Sequence, residues 1–107
     1  MSIWLFDLDW TAQLASHHGP TDVARIRARI LELMDDRGLD DDLSYDAEQR
    51  IFSFRFTGEC GDSTEAALCA FSQRLAQEEG IDIHYHWEPE HADCFDMQFG
   101  PEAGPTL

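Results

Sequence analysis

The chain has 107 residues, enough for one hydrophobic core and too few for two. Its 22 acidic residues outweigh seven basic ones, all Arg, giving a net charge of −15, a field that repels nucleic acid and anionic membrane and favours basic partners. A hydrophobic content of 43%, with seven Phe, three Trp and two Tyr, excludes a disordered acidic tail and predicts one folded domain over residues 1–100, with a flexible tail at 101–107.

Cys60, Cys69 and Cys94 make an odd count with no C-x-x-C pair, which predicts a reducing compartment and a cytoplasmic location. The first residues have no basic n-region, and no apolar run approaches a bilayer span, so no export or membrane segment is expected. The absence of Lys fits a coding bias towards Arg, or a surface adapted to high salt.

Ser2 to Trp10 alternates as a strand, with Trp4, Phe6, Leu8 and Trp10 on its core side and Ile3, Leu5, Asp7 and Asp9 on the other. Thr11 to Gly19 reads as a connector. Pro20 suits the first turn of a helix, and Val23, Ile26, Ile30, Leu33 and Met34 carry it to Arg37, with Gly38 as the stop. The acidic stretch Asp35 to Glu48 then joins two similar halves, with a short strand at Leu43–Asp46 and a turn at Ala47–Gln49.

Arg50 to Thr57 alternates Phe52, Phe54 and Phe56 against Ile51, Ser53, Arg55 and Thr57, a half-buried strand that Gly58 and Gly61 interrupt. Asp62-Ser63-Thr64-Glu65 has capping-box spacing, and Leu68, Phe71 and Leu75, flanked by Ala67 and Ala70, stripe a second helix ended by Gly80. Ile81 to Glu88 places Ile81, Ile83, Tyr85 and Trp87 inward and Asp82, His84, His86 and Glu88 outward, and Pro89 ends it. Phe95, Met97 and Phe99 mark a last strand within Cys94–Phe99.

The order strand, helix, strand, strand, helix, strand predicts an α+β domain of the split β-α-β (βαββαβ, ferredoxin-like) kind. Its four-stranded antiparallel sheet would carry two helices on one face and an added C-terminal edge strand. That topology hosts many functions, so it carries almost no functional weight.

The sharpest chemical cluster is His84, His86, His91 and Cys94, with Glu88 and Glu90 between them. His-x-His presents two imidazoles on one strand face, and a hairpin would return His91 and Cys94 towards them, a ligand set suited to Zn²⁺. A solvated polar face accounts for the same histidines without metal and is the preferred reading, so no metal or other cofactor is expected. His17-His18 has no partner identifiable from sequence. Cys69, between apolar neighbours, reads as a core residue. Cys60 precedes a helix N-terminus, but Glu59 and Asp62 oppose a lowered thiol pKa, and no nucleophile–base pair is visible. Phosphate loops and His-Glu-x-x-His are absent, so no catalytic residues are assigned.

The acids are the remaining signal. The proposed topology gathers Asp35, Asp36, Asp40, Asp41, Asp42, Glu59, Asp62, Glu65, Glu88, Glu90 and Asp93 at one pole, with Arg37 opposing them. Asp35 and Asp36, and at the other pole Glu78 and Glu79, sit at helix C-termini, where each negative charge costs about 0.3–1 kcal/mol and stability alone would place Arg.

The expectation is a small non-enzymatic protein whose acidic pole occupies the DNA or RNA site of a basic, nucleic-acid-binding partner. By analogy of charge and size, phage inhibitors of bacterial defence such as anti-CRISPR and anti-restriction proteins work in this way, as do some immunity proteins. Two alternatives are a metal-binding or small-molecule enzyme built on His84, His86, His91 and Cys94, and a module that homodimerises through its open sheet face or last strand. Trp4, Trp10 and Trp87 exceed the apparent needs of one small core and leave room for such a contact.

Overall fold

The computed structural model describes residues 3–36, 43–89 and 93–101, with side chains described for 6–35, 43–57, 64–89 and 93–101. The elements run β1 (Ile3–Gln13), α1 (Pro20–Asp36), β2 (Ser44–Asp46), β3 (Ile51–Gly61), α2 (Asp62–Glu79), β4 (Asp82–Pro89) and β5 (Phe95–Phe99). The strands make one open antiparallel sheet in the order β2-β3-β1-β4-β5, so the chain is α+β with two helices and five strands.

The central strand β1 is longer than its apolar alternation predicts. Thr11 to Gln13, expected to be a connector, continue the strand because neighbours pair with it on both sides: Gln13 faces Ile51 of β3 and Asp82 of β4. The Thr11 hydroxyl donates to the His84 carbonyl at 3.3 Å, and Ala12 is fully buried. β3 likewise runs through Gly58 to Gly61, because the pairing with β1 extends to Ile3↔Gly61.

One core fills the space between sheet and helices. Phe6, Leu8, Trp10 and Ala12 of β1, Phe52 and Phe54 of β3, and Ile83, Tyr85 and Trp87 of β4 meet Ile26, Ile30 and Met34 of α1 and Leu68, Phe71 and Leu75 of α2. Each large apolar side chain buried in this way contributes about 1.5–3 kcal/mol. Trp10 and Trp87 are core residues, stacked on Phe54 (5.1 Å) and Phe6 (4.4 Å), which corrects the expectation that they are surplus for a sheet-face contact. The Trp10 indole N–H is satisfied by donating to the buried Ser72 hydroxyl at 2.9 Å.

The helix ends are capped by local chemistry. Pro20 opens α1, and the Asp22 carboxylate accepts from the Gly19 N–H at 2.9 Å, the returning half of a capping box. Gly80, with φ +69°, takes the left-handed position that ends α2, and its N–H donates to the Ala76 carbonyl at 3.0 Å. The short edge strands β2 and β5 each carry an exposed acid, Asp46 and Asp96, which discourages edge-to-edge pairing. Among the described residues no helix is long and apolar enough to cross a membrane. The expected tail lies, from residue 102 onward, outside the described residues.

Candidate functional site

Alternation along the strands decides what the uncovered sheet face presents. Residues facing away from the helices are Asp7, Asp9, Thr11 and Gln13 on β1, Ser53, Arg55 and Thr57 on β3, Asp82, His84, His86 and Glu88 on β4, and Asp96 and Gln98 on β5. Register aligns them in cross-strand rows. One row runs Arg55, Asp9, His86, Asp96, and the next runs Thr57, Asp7, Glu88. The Thr57 hydroxyl donates to Asp7 at 2.6 Å, and Arg55 lies 3.3 Å from Asp9. Asp7 directly faces Glu88, a like-charge pairing that works against the sheet. Among the described residues on this face Arg55 is the one permanent cation.

The other arginines are elsewhere. Arg25, Arg27 and Arg29 belong to α1 and Arg74 to α2. Arg50, held at φ 60°, spends its guanidinium on the carbonyls of His18 (3.0 Å) and Ala15 (3.3 Å). Glu79 is gripped by Arg25 (2.7 Å) and Arg29 (2.9 Å), and Arg29 also reaches Glu78 at 2.7 Å. These contacts set cations from the neighbouring helix against the cost expected for Glu78 and Glu79 at a helix C-terminus. Arg25, and then Arg29, hold the Glu79 carboxyl below its ordinary value, more than offsetting the upward push of its burial.

The predicted acidic pole is only partly within view. β3 and β4 end where β1 begins, so Glu59, Asp62 and Glu88 belong to elements meeting at that end of the sheet. Arg25 and Arg29, in the first half and at the middle of α1, bridge to Glu79 and Glu78 at the end of α2, so the helices run antiparallel and α1 closes, with Asp35 and Asp36, at the same end. Asp35, Glu88 and Asp93 are exposed there. Glu65 is partly buried instead, accepting the Tyr85 hydroxyl at 3.3 Å. Burial, and then Cys69 and Glu65, push that phenol well above its ordinary pKa. Asp40, Asp41, Asp42, Glu90, Arg37 and His91 lie outside the described residues, and the side chains of Asp36, Glu59, Cys60 and Asp62 are likewise not described.

The histidine cluster assembles differently from its sequence reading. Asp96 Oδ1 lies 3.0 Å from both His84 Nε2 and His86 Nδ1, and His86 Nε2 lies 3.5 Å from Glu88 Oε1. Ligand atoms of His86, Glu88 and Cys94 all fall within 4.8 Å of one another. Asp96 and then Glu88 raise the His86 pKa above its ordinary 6.5, while His86 and then His84 lower that of Asp96. Glu88 was visible in the sequence between the histidines, but Asp96 was read only as a strand position. Its role depends on the β4–β5 register, which composition does not encode.

Among the described residues His18 is the buried histidine. Its Nδ1 accepts from the Ala15 N–H at 3.0 Å, leaving Nε2 to donate to the Glu79 carbonyl at 2.6 Å. That bond ties the β1–α1 connection to the end of α2, a structural role that no local signal marked. Cys69 packs partly buried against the core, as its apolar neighbours predict. No protein-family model, curated protein or solved structure matches this chain, so its functional reading rests on the geometry above.

Proposed function

We propose that this chain is a small acidic, non-enzymatic binding protein that inhibits a basic, nucleic-acid-binding partner by occupying its DNA or RNA site. The observation that carries the reading is the acidic open sheet face, which presents Asp7, Asp9, Asp82, Glu88 and Asp96 against Arg55 as the one permanent cation among the described residues there. The helices carry Arg25, Arg27, Arg29 and Arg74 beside eight acids, so they too are net negative, and the sheet face is the part of this acidic surface whose charges are fixed in register across the strands.

Acids on alternate residues of a strand stand about 6.8 Å apart, and neighbouring strands add a second row about 4.8 Å away. The result is a rigid lattice of negative charge that speeds capture of a cationic groove. Glu88 lies on both this lattice and the acidic pole, so the proposed binding surface takes in Asp35 and the ends of α1, β3 and α2 that carry Asp36, Glu59 and Asp62, while Asp40, Asp41, Asp42 and Glu90, expected from the sequence to bind with them, lie outside the described residues. Glu65, engaged by Tyr85, belongs to its margin. The facing pair Asp7 and Glu88 supports selection for binding over stability, since exchanging either for a base would favour the sheet. Such a protein acts in the compartment of its partner, and the cytoplasm fits its unpaired thiols.

We also read the topology as split β-α-β, ferredoxin-like, with β5 added beyond β4. The neighbour order β2-β3-β1-β4 and the two helical crossovers support that name, which adds nothing to the functional argument.

The experiment is capture of partners from a bacterial lysate at low salt, followed by a nucleic-acid binding assay on the captured protein. The reading expects a basic protein that loses its DNA or RNA when this chain is added. Capture of partners that retain their nucleic acid in its presence would refute site occupation.

A further inference from the structure

We propose that His86, Glu88 and Cys94 form a binding site for a divalent cation of the zinc class on the open face of the β4–β5 hairpin. The site goes beyond partner binding and stands independently of it. An imidazole, a carboxylate and a thiol converge within 4.8 Å, and the His86 Nε2 to Glu88 Oε1 separation is already 3.5 Å. Ligands at about 2.0–2.3 Å from a tetrahedral zinc ion are roughly 3.4–3.6 Å from each other, so small rotations of exposed side chains close the set.

The backbone supplies the convergence. His86 and Glu88 alternate on β4 and so project from the same face. The last β4–β5 pair is Trp87↔Phe95, and one step beyond it Cys94 stands across from Glu88. Cys94 is a free, exposed thiol, which lowers the cost of access for the ion.

A second observation points to the same ligand atom. The Asp96 carboxylate lies 3.0 Å from His86 Nδ1, so Nδ1 donates to it and Nε2 is left facing Glu88, where a bound metal ion would take the place of the Nε2 proton. A carboxylate behind a histidine is how proteins fix the tautomer and orientation of a metal-binding imidazole. Asp96 is thus a positioning residue, and His84, which also bonds it at 3.0 Å, anchors it from the other side. The donor set selects the metal: thiolate and imidazole suit zinc, whereas calcium and magnesium take oxygen ligands. Asp7 and Asp9, opposite Glu88 and His86 on β1, add a negative field that concentrates cations at the face. Three protein ligands leave the fourth position for water or for a donor from a partner.

The test uses untagged, reduced, chelator-stripped protein titrated with Co²⁺ and then Zn²⁺. One Co²⁺ per chain should bind, with the near-ultraviolet absorption of a cobalt–thiolate bond, and Zn²⁺ should displace it. Cys94→Ser should abolish that band, and His86→Ala should abolish tight binding. Cys69→Ser should leave both unchanged. Asp96→Asn should keep the thiolate band while weakening Zn²⁺ binding about 10–100-fold, as loss of an orienting carboxylate does. The ligands are exposed, and circular dichroism checks that each variant keeps its fold. Absence of a thiolate band in the wild type, or full Zn²⁺ affinity in Cys94→Ser, would overturn the site. Because the isolated chain is measured, either result leaves the partner-binding reading to its own test.

Discussion

Replacing Glu79 with Gln keeps its size and removes its charge, and the cost follows from the two arginines that grip it. The Glu79 side chain is 8% exposed and that of Arg29 27%, so this contact approaches the value of a charge-assisted hydrogen bond, about 1.5–3 kcal/mol. Arg25 is 48% exposed, so solvent screening leaves its pair a minor contribution. Removing a negative charge from the C-terminal end of α2 returns about 0.3–1 kcal/mol. The net loss is about 0.5–3 kcal/mol, read by urea denaturation at pH 7 from tryptophan fluorescence and circular dichroism.

Acid should erase that difference. The folded Glu79 carboxyl is depressed below its ordinary 4.5, so its stabilisation is complete above 4.5 and disappears as pH falls through the lower folded value. Wild type and Glu79→Gln should therefore differ at pH 7 and converge towards pH 3. Equal stability at pH 7, or a difference undiminished in acid, would refute the assignment of these ion pairs as the compensation for the α2 terminus.

Two further substitutions probe the scaffold, and one change of solvent probes its charge. Ser72→Ala strands the Trp10 indole N–H in the core and should cost about 1–3 kcal/mol with an unchanged denaturant slope; a neutral result would show that another acceptor serves it. Arg50→Ala loses two carbonyl contacts and keeps the left-handed backbone, whereas Arg50→Gly loses the same contacts but relieves about 1 kcal/mol of strain, so thermal melts should rank Gly above Ala. With a net charge of −15, raising NaCl from about 0.05 to 0.5 M should increase the melting temperature by screening self-repulsion, and a decrease would mean that surface ion pairs dominate instead.

Period-two alternation made β3, β4 and β5 readable, and the i, i+3, i+4 spacing of Val23, Ile26 and Ile30 made α1 readable, because burial on one face imposes both patterns. The ends of β1 and β3 were not readable. Thr11-Ala12-Gln13 carries no strand signal, and Gly58 signals a break, yet pairing on both sides of β1 extends the ladder through both. The outward acids and histidines of β1 and β4 were legible from the same alternation, and so was the proximity of Glu88 to the histidines. What escaped were contacts between residues far apart in sequence: Arg25 and Arg29 with Glu79, His18 with the Glu79 carbonyl, and Asp96 behind His86. Each needs the register or the helix packing, which a single chain of letters states only through the fold it adopts.

The acidic surface is tested most directly by measuring the affinity of this chain for its captured partner as a function of salt, for the wild type and for two charge-neutral variants. One variant carries Asp7→Asn, Asp9→Asn and Glu88→Gln on the sheet face, and the other carries Asp40→Asn, Asp41→Asn and Asp42→Asn in the acidic stretch that follows α1 in the sequence. Screening shortens from about 10 Å at 0.1 M salt to about 3 Å at 1 M, so wild-type affinity should fall steeply, and the variants should bind more weakly with a flatter salt dependence. Affinity indifferent to salt and to both sets of substitutions would contradict the account.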